Sequence, residues 1–160
     1  MRTETHVVKI YTFDELPENI KQKAIEKLWD INVDYEWWEF IYEDAANVGI
    51  KITGFDTGRG NDITGDFIWY AIDVCKAILL EHGKNTETYK TASTFLPELK
   101  KEWEEDYGGE EAAEEFKRAI LEDYLAMLRS EYEYFTSEER IIETIQANEY
   151  EFTEDGEIYP

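Results

Sequence analysis

The sequence predicts an α+β fold, a small antiparallel sheet packed against five or six helices. Apolar residues recur at helical spacing in five or six segments, and short β-branched runs stand between turn signals. Aromatic residues make up 15% of the 160, too many for a disordered acidic chain, so the segments are expected to pack on a shared core. The length suits one domain, 1–160, since no repeat, low-complexity linker or compositional boundary interrupts it.

The elements follow in order. His6 to Tyr11 is short and β-branched and reads as a first strand. Thr12 with Glu15 three residues on has the spacing of a capping box, and Pro17 suits a helix's first turn because its missing N–H costs nothing there. Ile20, Ala24, Ile25 and Leu28 give that helix its stripe, to about Trp29. Asp34 is placed to cap a second helix to about Val48, rich in aromatics, and Gly49 to end it. Two adjacent tryptophans on a helix cannot both face inward, so Trp37 is expected at an edge, where a partner could use it.

Ile50–Phe55 and a run from Ile63 to about Trp69 flank a glycine-rich turn and predict a hairpin. A helix over Tyr70–Glu81 stops before Gly83. The next runs from Thr86 to Tyr107, with Pro97 expected to break or kink it near Leu96. Glu110–Tyr134 carries the broadest apolar face. A last helix starts near Thr136 and ends near Ala147, and a closing hairpin turns at Glu154-Asp155-Gly156.

Charge constrains function more than any motif. The chain has 38 acidic and 16 basic residues, a formal charge of -22. Direct nucleic-acid binding is excluded in expectation, because that affinity rests on Lys and Arg neutralising phosphates. Anionic membrane surfaces repel such a chain, and no apolar stretch approaches the roughly 20 residues of a membrane span. Cys75, the one cysteine, sits in an apolar run and has no disulfide partner, which fits a reducing cytoplasm.

The acidity is uneven. Residues 98–160 hold 21 acidic and 6 basic residues, against 17 and 10 in the first 97. Glu102, Glu104, Glu105 and Asp106 close one helix; Glu110, Glu111, Glu114 and Glu115 open the next across Gly108-Gly109. Acids that open a helix complement its dipole, whereas acids that close one oppose it, by a few tenths of a kcal/mol each. Eight carboxylates at one junction are therefore expected to form a negative corner. Spaced about 5–6 Å apart on helices, they could take the positions in which a partner's basic groove expects phosphates.

Catalytic chemistry has no comparable signal. His6 and His82 are the only histidines, without a companion at metal-ligand spacing, so no metal and no cofactor is expected. The Gly58-Arg59-Gly60 loop lacks the Lys-Ser/Thr of a P-loop and the third glycine of a dinucleotide fingerprint, although Arg59 at its tip could touch a partner. Acidic pairs such as Glu39 with Glu43 and Asp44 are what chance supplies in so acidic a chain. The expectation is a binding protein and not an enzyme.

Tyr11-Thr12-Phe13-Asp14-Glu15-Leu16, Asp34-Tyr35-Glu36-Trp37-Trp38 with Tyr42-Glu43-Asp44-Ala45, and the closing Ile141-Ile142-Glu143-Thr144-Ile145 through Gly156 resemble a family of small acidic phage and prophage proteins, sometimes labelled antitoxin-like. The likeness covers both ends and is weak through residues 84 to 115. It implies a phage origin, hence work in the host cytoplasm, and by analogy an anti-restriction or anti-CRISPR inhibitor that imitates DNA. The expected partner is then the basic surface of a nucleic-acid-binding host complex. An adaptor or antitoxin-like module using the aromatic face, and a sponge for a nucleotide signal held near Arg59, are the alternatives.

Overall fold

Apolar stripes at helical spacing need a facing surface, and in the computed structural model of the chain they find it in two places. Residues 1–58, 60–106 and 110–160 are described, apart from the side chain of Asp106. In chain order they form β1 (Tyr11–Thr12), a 3-10 turn (Phe13–Glu15), α1 (Glu18–Lys27), α2 (Glu39–Asn47), β2 (Ile50–Asp56), β3 (Asp62–Phe67), α3 (Ala71–Glu81), α4 (Glu87–Asp106), α5 (Glu110–Phe135), α6 (Glu138–Ala147) and β4 (Glu151–Phe152). The class is α+β as expected, with six α-helices among the described residues. The strands form two separate antiparallel pairs, β1 with β4 and β2 with β3, in place of a single sheet.

The chain divides into two units, Met1–Trp37 with Tyr132–Pro160, and Trp38–Glu131. In the first unit, Phe13, Leu16, Ala24, Ile25, Ile141, Ile145 and Phe152 make the buried core. Each fully buried Ile or Phe contributes about 1.5–3 kcal/mol. The strand expected over His6–Tyr11 shrinks to Tyr11–Thr12, because its partner β4 is only two residues long and offers no ladder to residues 6–10. Glu15 Oε1 accepts both the Thr12 N–H and the Thr12 hydroxyl at 2.9 Å, which holds its carboxyl below the usual glutamate range. The closing turn is as expected: Gly156 adopts φ +84°, and Phe152 bridges Ile158.

Residues 28–38 form turns where helix was expected from Asp34, so α2 starts only at Glu39. Within those turns Trp37 packs on Tyr132 and Phe135, ring centroids 5.7 and 6.1 Å away.

The second unit is built on α5. Phe116, Ile120, Tyr124 and Leu128 are fully buried along one face of it. Phe116 lies between Phe67 of β3 and Phe95 of α4, at 5.5 and 5.6 Å. Helix α4 runs through Pro97 without a break, although proline has no N–H for the Ser93 carbonyl one turn earlier. Buried Ala92 and Leu99, either side of Pro97, anchor that helix to the core. Cys75 is buried as expected; its thiol donates to the Ala92 carbonyl at 3.1 Å, and burial pushes its pKa up to about 12.

Gly49 ends α2 with φ +86°, the C′ role read from the sequence. Its carbonyl accepts the Ile68 N–H at 2.7 Å, and the Trp69 ring lies where a Cβ would stand, 2.4 Å from the nearest ring atom. Gly49→Ala therefore meets both a disfavoured backbone and an indole. It is expected to destabilise the fold by about 2 kcal/mol or more in urea denaturation, well beyond the roughly 0.5 kcal/mol of an ordinary exposed substitution.

Candidate functional site

Two surface features of the second unit carry functional groups. The first is an open depression of about 470 Å³ between the C-terminal half of α4 and the start of α5. Glu98, Glu102 and Glu105 line it from α4, Glu111 and Glu115 from α5, and Lys101 is the one base in its described lining. On α4 the three acids stand at i, i+4 and i+7, so they rise along one face in steps of about 4.5–6 Å. Glu98, which the sequence reading left out of the corner, belongs to it.

The other predicted residues separate by role. The carboxylate of Glu102 accepts the Ala112 N–H at 2.9 Å, satisfying a first-turn donor of α5 from the neighbouring helix. Glu114 pairs with Lys117 at 3.3 Å, and Lys117 also reaches Asp66 at 3.5 Å. Glu104 and Glu110 are exposed and stand outside the depression's lining. Arg59, Gly108-Gly109 and the Asp106 side chain lie outside the described residues. Trp37 belongs to the first unit, half-buried against Tyr132 and Phe135. An exposed apolar row, one isoleucine followed by two aromatics, lies elsewhere: Ile68, Trp69 and Tyr70, with Tyr70 edge-on to Trp103 at 5.1 Å. Trp103 and Glu102 share a small cleft with Tyr70, so this row adjoins the acidic depression.

The second feature is a cavity of about 530 Å³ framed by α2, the segment after α3, the start of α4 and the middle of α5. Phe40, Ile41, Ala126 and Met127 give it apolar walls, and Asp44, His82, Thr88 and Asp123 supply polar groups. Tyr124, wholly buried, donates its hydroxyl to Asp44 Oδ2 at 3.0 Å. His82 Nε2 lies 3.3 Å from the same oxygen, within ion-pairing distance but outside hydrogen-bond alignment. His82 Nδ1 is 2.6 Å from Thr88 Oγ1, which itself donates to Thr86 Oγ1 at 3.3 Å. Thr86 in turn caps α4, accepting the Tyr89 N–H at 3.2 Å.

Facing His82 and accepting the Tyr124 hydroxyl hold the Asp44 carboxyl below the usual aspartate range, against the opposing effect of burial. Asp123 shifts the other way. Burial raises it and neighbouring Glu87 and Glu122 add to the rise, with only the Thr91 hydroxyl, at 2.5 Å, favouring its charge. Burial raises the Tyr124 phenol, and the Asp44 carboxylate raises it further. Sequence reasoning missed this site because Asp44, His82, Thr88 and Asp123 have no motif spacing and meet only through packing on α5.

Among the described residues no helix is long and apolar enough to cross a membrane, and no group of three or more His, Cys, Asp or Glu side chains is arranged to hold a metal ion. No family model, curated protein or solved structure matches the chain.

A carboxyl held low in the folded state stabilises above the unfolded pKa, near 3.9, and loses that contribution as pH falls through its folded value. The Asp44 carboxyl carbon is expected to titrate below 3.9 by NMR. Asp44→Asn is expected to cost about 1 kcal/mol at pH 5, a figure kept small by solvent screening, with the gap from wild type closing as pH falls below the unfolded value and through the folded one. A midpoint above 3.9 contradicts the assignment.

Proposed function

We propose that the chain binds the basic, nucleic-acid-binding surface of another protein, presenting carboxylates where that surface takes phosphates, as a phage inhibitor of a host defence complex would. One observation carries the reading: five carboxylates from two helices border a single open depression whose described lining contains one base. Rigid helices hold these charges in place, so a partner's Lys and Arg meet them with little loss of freedom in this chain. The formal charge of -22 steers such a partner in from a distance, giving a fast and salt-sensitive encounter. The aromatic row beside the depression offers the non-electrostatic part of the contact, the role that the sequence reading gave to Trp37.

The exposed row at Ile68–Tyr70 also favours a second reading, an adaptor that binds one partner through its aromatic face while the acidity maintains solubility. A nucleotide sponge draws no support from either surface feature, since both are lined by carboxylates and would repel phosphate.

The immobilised chain, exposed to a nuclease-treated bacterial lysate, is expected to retain basic nucleic-acid-binding proteins that short duplex DNA or high salt displaces. Reversing Glu98, Glu105, Glu111 and Glu115 to Lys, while sparing the helix cap Glu102, should cut that capture at least ten-fold with the circular dichroism spectrum unchanged. Capture indifferent to the reversal and to DNA, but lost in Tyr70→Ala, would establish the adaptor reading instead.

A further inference from the structure

The cavity on α5 takes no part in the acidic surface proposed above, and its chemistry points to a different class of ligand. Its volume, about 530 Å³, falls in the range of small-molecule sites, and its walls are mostly apolar with a few convergent polar groups. Asp44, Glu87 and Asp123 bring three carboxylates to its lining, and no Lys or Arg stands among the described lining residues. An anionic ligand would meet only repulsion there. A cation with an apolar body would meet charge at one end and hydrocarbon at the other.

Two further observations favour an occupant. His82 lines the cavity with its side chain nine-tenths buried, and its Nε2 makes no hydrogen bond. His82 Nδ1 is engaged by Thr88 at 2.6 Å, so Nε2, 3.3 Å from Asp44 Oδ2 and out of hydrogen-bond alignment, is the nitrogen turned toward the carboxylate. The polar floor so formed stays open on its outer side. Asp44 is its accessible end, with a side chain 45% exposed. The second observation is Phe40, a phenyl ring 79% exposed to solvent while lining the same cavity. A bound apolar body would cover it, and its face could also stabilise a cation.

We propose that this cavity binds a small organic cation, an amine with an aliphatic or aromatic body, whose ammonium pairs with Asp44 and Asp123 while Phe40, Ile41 and Met127 enclose its hydrocarbon. Asp123 gains most from such a ligand, because burial beside Glu87 and Glu122 opposes its charge and a neighbouring ammonium restores it. A bare metal ion fits poorly, since no three ligating side chains converge among the described residues. The apolar walls would also have nothing to do.

The test uses matched probes on the full chain: phenethylamine and hexylamine, the neutral 2-phenylethanol, and the anionic 3-phenylpropionate, each titrated while backbone amide shifts are followed by NMR. The amines are expected to saturate with shifts centred on residues 40–44, 82–88 and 123–130, and to bind at least ten-fold more tightly than the alcohol, with the acid not binding. Ala126→Trp, at an exposed position on the rim, should abolish binding without unfolding the chain, and Asp123→Asn should weaken it about ten-fold. Equal affinity for amine and alcohol, no saturable shift with either amine at millimolar concentration, or full binding in Ala126→Trp would each overturn the proposal. Charge reversal at Glu98, Glu105, Glu111 and Glu115 should leave amine binding within a few-fold of wild type, so this site and the acidic surface fail or stand separately.

Discussion

A phenol with no exposure to water must hydrogen-bond to something, and much of the second unit follows from how Tyr124 meets that demand. Its partner is Asp44, which ties the middle of α5 to α2. A carboxylate placed there needs compensation of its own, and His82 comes up against it from the end of α3. The imidazole then requires a partner for its other nitrogen and finds Thr88, almost fully buried in the first turn of α4. Four helices are thereby linked through one polar chain that starts from a single buried hydroxyl. Apolar packing alone would allow these helices to slide, whereas a chain of specific polar partners favours one arrangement.

The acidic surface has a different logic, because not all of its charge is available to a partner. Glu102 is occupied in satisfying the start of α5, and Glu114 is neutralised in part by Lys117. What remains open is a set of glutamates on facing helix ends, with nearby charges of the same sign and little base to offset them. Like charges so arranged oppose the compact state. The core beneath carries that burden: Phe116, at the second turn of α5, is wholly buried between two other aromatic rings.

How much could be read beforehand depended on whether the determining contacts were local. The helices from Ala71 to Glu81 and from Glu110 to Phe135 were legible almost to the residue, since their stripes are long and glycines or turn residues bound them. Gly49 was legible as a terminator because a left-handed residue after a helix is a local event. By contrast, the strand at residues 6–10 and the helical turn at Asp34 each satisfy local rules, and tertiary partners overruled them. The acidic corner was visible as a charge run, but Glu98 was missed because it lies four residues before Glu102, outside that run and on the same helix face. The Asp44–His82–Thr88 floor left no trace in the sequence, its members being brought together only by the folded helices.

The two-part character of the first unit bears on how the chain acquires its structure during synthesis. Its pairs span most of the sequence: Gln146 reaches Asp14 across 132 residues, and Tyr11 lies in register with Phe152. Every such pair closes a loop that contains the whole of the second unit, Trp38–Glu131. The entropic cost of that closure grows only with the logarithm of loop length, and it falls further once the intervening segment is already condensed. The second unit therefore has every residue it needs on the emerging chain before Phe152 has been translated. Phe13, Leu16 and Ile25 must meanwhile wait with their apolar surface uncovered, a vulnerable interval set by the speed of the ribosome.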